Sequence, residues 1–79
     1  MAKIEFHYRS NITTILCSED ERLETICEKF TIKTGTNINN LIFLYSGKQI
    51  NLQSKLSQII NSLDKERKIM VVLVNDLNS

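Results

Sequence analysis

Apolar and polar residues alternate at the start of the chain. Ile4, Phe6 and Tyr8 are separated by Glu5 and His7, the period of a half-buried strand. Arg9-Ser10-Asn11 supplies turn residues, and the β-branched and apolar residues 12–17 predict a second strand that returns as a hairpin. Its inward set is Thr13, Ile15 and Cys17 or, one residue out of step, Ile12, Thr14 and Leu16; the pattern admits both. At Ser18 the period changes. Ser18-Glu19-Asp20-Glu21 has the form of a capping box, with acids suited to the positive end of a helix dipole. Leu23, Ile26, Cys27 and Phe30 then recur at i, i+3, i+4 and i+7, one face of an amphipathic helix that Gly35 can stop. Ile32 lies off that stripe. After the polar residues 36–40, Leu41-Ile42-Phe43-Leu44-Tyr45 predicts a strand, Ser46-Gly47-Lys48 a tight turn, and Lys48-Gln49-Ile50 a short returning strand. Leu52, Leu56, Ile59, Ile60 and Leu63 fall at helical spacing and predict one short helix from near Ser54. A charged turn over residues 64–68 leads into the last strand, residues 69–74, and residues 75–79 read as a frayed tail.

The order strand, strand, helix, strand, short strand, short helix, strand predicts an α+β two-layer fold with one main helix on a mixed four- to five-stranded sheet. With 79 residues the chain holds one domain, and its 42% hydrophobic and 24% charged residues are those of a soluble globular protein. The expected division is a domain over residues 1–75 and a flexible tail over residues 76–79. The net charge of +1, with basic and acidic residues interspersed, gives no footprint for nucleic acid or an anionic membrane. No apolar run approaches the ~20 residues of a transmembrane helix, and the first ten residues lack a signal peptide's apolar core. An intracellular location, cytoplasmic or nuclear, is the expectation. Cys17 and Cys27 then read as reduced thiols in the core, and the sequon Asn11-Ile12-Thr13 reads as a turn.

This order and spacing resemble ubiquitin over almost the whole chain. The likeness runs without a gap from Cys17 to about Ile59. It is strongest in Phe43-Leu44-Tyr45-Ser46-Gly47-Lys48-Gln49-Ile50, which is similar to ubiquitin's third strand, turn and fourth strand. Cys17, Leu23, Ile26 and Phe30 fall at core positions of that family, Gly35 at the glycine that ends its helix, and Leu56-Ser57 in its short second helix. Two extra residues fall in the 64–68 turn, and the first hairpin is one residue shorter. The resemblance implies a β-grasp fold (ββαββ plus a short helix), no cofactor and no catalysis.

A single helix covers one face of a sheet, and the other face meets water. If Leu41, Phe43 and Tyr45 point at the helix, Ile42 and Leu44 point away. If Ile69, Val71 and Leu73 point in, Met70, Val72 and Val74 point out. In a β-grasp these strands are neighbours, so the outward five would form one apolar patch, adjoined by Gly47 and Lys48, that marks a protein interface. The resemblance implies the same use, because Leu44, Met70 and Val72 fall on ubiquitin's recognition patch. The expected partners are ubiquitin-receptor helices or domains, such as proteasomal receptors, and the expected role is an adaptor module in the ubiquitin–proteasome or quality-control system, monomeric in isolation. The alternatives are a structural module docking on its own protein or a second copy, and a conjugated modifier after processing. Ile42 and Val74 stand where ubiquitin has arginines, and Asn78-Ser79 stand in place of its glycine pair, so conjugation is not expected. Lys29, Lys33 and Lys48, at ubiquitin's chain-forming positions, read as solvated lysines. His7, Cys17 and Cys27 are the candidates for nucleophilic chemistry, but they fall on different faces, at no metal-ligand spacing, and predict neither an enzyme nor a zinc site.

Overall fold

In the computed structural model, which describes residues 1–77, the opening alternation becomes β1, Ala2–Tyr8, hairpinned to β2, Asn11–Cys17. Ala2, Ile4 and Phe6 are buried, and their register partners Cys17, Ile15 and Thr13 share their side of the sheet. The register of β2 is thereby decided: Thr13, Ile15 and Cys17 face the helix, while Ile12 and Leu16 are 62% and 56% exposed. The hairpin closes through Arg9 and Ser10, both at positive φ (49° and 66°), the geometry of a type I′ turn.

Helix α1, Leu23–Thr34, buries Leu23, Ile26, Cys27 and Phe30, the stripe read from the sequence, and ends at Gly35 with φ +71°. Ile32 is exposed. The helix start differs from expectation. Glu21 does accept the Ser18 N–H at 3.0 Å, but the Ser18 hydroxyl takes the Asp20 N–H at 3.2 Å, so the box shapes a turn ahead of the helix. Arg22 is the N-cap residue and makes no side-chain cap. The orphan donors of Leu23 and Glu24 instead reach the carbonyls of Ser54 and Leu52, both at 2.9 Å. A distant loop does the capping.

A 3-10 turn, Ile38–Asn40, leads into β3, Leu41–Tyr45, and β4, Lys48–Gln49, joined by Ser46 and Gly47 at positive φ. The single helix expected from Ser54 is two. Helix α2, Leu56–Ile59, buries Leu56, and the chain turns at Ile60 before α3, Ser62–Arg67. Asn61 is the cause: its side chain accepts the Asp64 N–H at 2.8 Å and starts a new helix where a charged turn was expected. Leu63 is therefore 60% exposed rather than part of an apolar stripe.

Strand β5, Ile69–Asp76, completes a mixed sheet in the order β2-β1-β5-β3-β4, parallel between β1 and β5 and antiparallel elsewhere. This is an α+β fold in a β-grasp arrangement. Phe6 stacks on Phe30 with centroids 4.6 Å apart, and Phe43 meets both edge-on at 6.1 Å, which ties the helix to the sheet centre. Asn75 and Asp76, expected in the tail, continue β5. The Asp76 carboxylate accepts Tyr8 OH at 2.6 Å and Arg9 Nε at 2.9 Å, which pins the strand's end to the first hairpin. Leu77, also expected in the tail, donates its N–H to the Asn40 carbonyl at 2.9 Å, and the expectation on Asn78 and Ser79 lies outside the described residues.

The phase of β5 overturns the sequence expectation. Met70, Val72 and Val74 are 0%, 1% and 4% exposed and belong to the core; Ile69, Val71 and Leu73 point to the open face. Met70 pairs with the inward Ile4 and Val72 with the inward Phe6, and paired residues share a face. The reason lies upstream. Helix α3 takes up the chain before the strand, ends on Lys68 at φ +59°, and delivers the Lys68 carbonyl to the Lys3 N–H at 2.9 Å. That bond is continuous with the parallel register that places Ile69 beside Lys3 and Met70 beside Ile4, and in a strand a shift of one residue turns every side chain over.

Candidate functional site: the open face of the sheet

The helix covers one side of the sheet; the candidate site is the other. Its rows follow from the pairing. Leu73 lies between Leu44 of β3 and His7 of β1, Val71 beside Glu5, and Ile69 beside Lys3. Ile42 is the other outward residue of β3 and pairs with Asn75. Val71 and Leu73 are 41% and 49% exposed, and Ile42, Leu44 and Ile69 are half-buried. The open face is therefore apolar across β5 and β3, charged along β1, and apolar again at Ile12 and Leu16 of β2.

Of the sequence-predicted site residues, Ile42 and Leu44 lie on this face as expected, and Gly47 (φ +79°) and Lys48 are exposed at its end in the β3–β4 turn. Met70, Val72 and Val74 are not part of it. Their places are taken by Ile69, Val71 and Leu73, which the sequence reading put in the core. Nothing in the run Ile-Met-Val-Val-Leu-Val separates the two phases, since either half is apolar enough to be buried. A signal for α3 did exist: Asn61 with an acid three positions on is a helix start.

A cleft of about 370 Å³ runs between β5, the β3–β4 turn and α3, lined by Tyr45, Ser46, Gly47, Asp64, Arg67 and the side chains of Ile69, Val71 and Leu73. Its polar wall is a fixed network. Asp64 accepts Tyr45 OH at 2.6 Å and Arg67 Nη2 at 2.9 Å, and Tyr45 Oη in turn accepts the Asn61 N–H at 3.1 Å. The Tyr45 and Arg67 donors hold the Asp64 carboxyl below its ordinary value, and burial, with the bond to Asp64, raises the Tyr45 phenol. The network anchors α3 to β3 beside the apolar floor.

The candidates for covalent chemistry are dispersed. Cys17 and Cys27 are unpaired and buried, and burial pushes their thiols up to about 11 and about 12, away from the reactive thiolate. His7 stands on the open face with Nε2 shielded from solvent, 3.6 Å from Glu5 Oε1 and without a hydrogen-bond partner. Among the described residues no cluster of His, Cys, Asp and Glu could hold a metal ion, and no helix is long and apolar enough to cross a membrane. No protein-family model matches the chain, and no curated protein matches it.

Proposed function

We propose that this domain is a non-catalytic, ubiquitin-like protein-interaction module that offers its open sheet face to a short apolar helix or small domain of the ubiquitin-receptor type. The observation that carries this reading is the pair Leu44–Leu73, flanked by Val71, Ile69 and Ile42, on the face opposite α1, which α3 borders. Contiguous exposed apolar surface of this kind marks interfaces. The recognition patch that the resemblance to ubiquitin implied at Leu44, Met70 and Val72 is here supplied by Leu44, Val71 and Leu73. A second support is the Tyr45–Asp64–Arg67 network, which sets a hydrogen-bonded polar rim beside the apolar floor.

Burial of the part of these five side chains that is still exposed contributes several kcal/mol gross at ~25 cal/mol per Å². Lost translational and rotational freedom offsets most of it, so micromolar affinity is expected. Such a module belongs to a larger adaptor acting inside the cell, in the ubiquitin–proteasome or quality-control system, and needs no cofactor. In an NMR titration with a ubiquitin-interacting helix the amide signals of Leu44, Val71 and Leu73 should move together, and Leu73→Asp should abolish the shifts without unfolding the domain. Signals that stay still at those residues up to millimolar peptide would overturn the proposal.

A further inference from the structure

The two edges of the sheet are unlike. Strand β4 is two residues long and carries Lys48, so it offers little to another strand. Strand β2 is seven residues, Asn-Ile-Thr-Thr-Ile-Leu-Cys, with no charge and no proline, and it is paired on one side only. Its one-to-one register with β1 is unbroken by a bulge. Charge, proline and bulges are the usual protections of an edge, and within the strand none is used.

The phase of the ladder says which groups face outward. A two-residue turn makes Tyr8 and Asn11 a hydrogen-bonded pair. Counting by twos, Thr13, Ile15 and Cys17 bond to β1, and Ile12, Thr14 and Leu16 turn their N–H and C=O groups to the free edge. The protein itself supplies a check: the Thr14 carbonyl accepts not from β1 but from Lys33 Nζ of α1, at 3.3 Å. The same three residues carry the exposed side chains Ile12 and Leu16.

We propose that the free edge of β2 pairs antiparallel with the same edge of a second copy about a two-fold axis at Thr14, and that Lys33 restrains this pairing in the monomer. The sequence of the edge is self-complementary about that axis. Thr14 meets the partner's Thr14, and Ile12 meets the partner's Leu16 on both sides of it, as a hydroxyl pair flanked by aliphatic pairs. No like charges are opposed within the strands. The nearest charged strand residues, Lys3 and Glu5, lie on β1, about three strand spacings from their copies across the axis, or roughly 14 Å. That exceeds the ~10 Å Debye length at moderate salt. Lys33 is the opposing element: its ammonium occupies the central acceptor, and two such groups meet near the axis. The pairing covers on the order of a few hundred Å² per copy, below the ~800 Å² per partner of a stable complex, so the dimer is weak and concentration-dependent. It leaves the Leu44–Val71–Leu73 face of each copy free and does not rest on the function proposed above.

Sedimentation equilibrium and ¹⁵N NMR dilution, from micromolar to millimolar protein, test the proposal. The average mass should rise from 9.1 kDa toward twice that value, with shifts centred on the amides of Ile12, Thr14 and Leu16. Lys33→Gln removes one exposed charge from each copy and should tighten the dimer by roughly two- to thirtyfold. Ile12→Lys and Thr14→Lys should each keep the chain monomeric; Ile12 is exposed, so the first variant retains the fold even if the second does not. A monomer throughout, for both the wild type and Lys33→Gln, overturns the proposal, as does association that survives Ile12→Lys. Concentration-dependent shifts confined to Leu44, Val71 and Leu73 also overturn it, because they would put self-association on the open face.

Discussion

The phase of β5 can be tested by a matched pair of substitutions, Met70→Ala and Leu73→Ala. Each deletes about three side-chain heavy atoms, so the chemistry removed is nearly equal and only the environment differs. Met70 is 0% exposed among the buried residues of β1 and β5, whereas Leu73 is 49% exposed on the open face. At ~0.8 kcal/mol per buried methylene the transfer loss at Met70 is about 2.4 kcal/mol, and the cavity left behind brings the cost into the ~2–5 kcal/mol range of core truncations. At Leu73 about half of the transfer loss applies and no closed cavity forms, so the cost is about 1 kcal/mol. For a chain of 79 residues the total stability is ~4–12 kcal/mol, so Met70→Ala removes a large part of it. Urea denaturation followed by circular dichroism measures both costs, with a similar m-value showing that the unfolded states are comparable. Thermal melts should separate the two variants by about 4–8 °C for each kcal/mol of difference. Equal costs, or a larger cost at Leu73, would refute the pleat described here and with it the composition of the open face.

Ser10 holds φ +66° with a Cβ that the left-handed region disfavours, so Ser10→Gly should stabilise the domain by about 1 kcal/mol in the same denaturation assay. The Tyr8 hydrogen bond, then the hydrogen bond and charge of Arg9, hold the Asp76 carboxyl below its ordinary value. A carboxyl depressed by folding stabilises the fold above its unfolded value, and the gain is lost as pH falls through the folded one. Tyr8→Phe should therefore move the Asp76 titration, followed by carboxyl ¹³C shifts, up toward the ordinary range and weaken the dependence of stability on acid. Cys17 and Cys27, with thiols raised to about 11 and about 12, should resist iodoacetamide at pH 8 in the native state and take two adducts in denaturant, as read by mass spectrometry; rapid native labelling would contradict their burial.

What the amino-acid sequence determined by itself follows from period. A strand of period two with polar residues on one face has one way to meet a core, so the inward set of β1 was legible, and so was the α1 stripe of Leu23, Ile26, Cys27 and Phe30. Gly35 and Gly47 were legible as well, because both stand where the chain needs positive φ. The order of the strands and the main helix, and the α+β class, came with them. The split of α2 from α3 was written locally as well, in the Asn61 cap three residues from its partner Asp64, and was masked by helical spacing that continues to Leu63. Two features were decided by packing. The register of β2 waited on β1, since both of its faces carry apolar residues. The phase of β5 depended on where α3 delivers Lys68 to Lys3, because a run apolar at every position carries no mark of its own inside and outside. The existence of an apolar face could be reasoned from that run, but its residues could not: packing against Ile4 and Phe6 chose Met70 and Val72 for the core and left Val71 and Leu73 to the solvent.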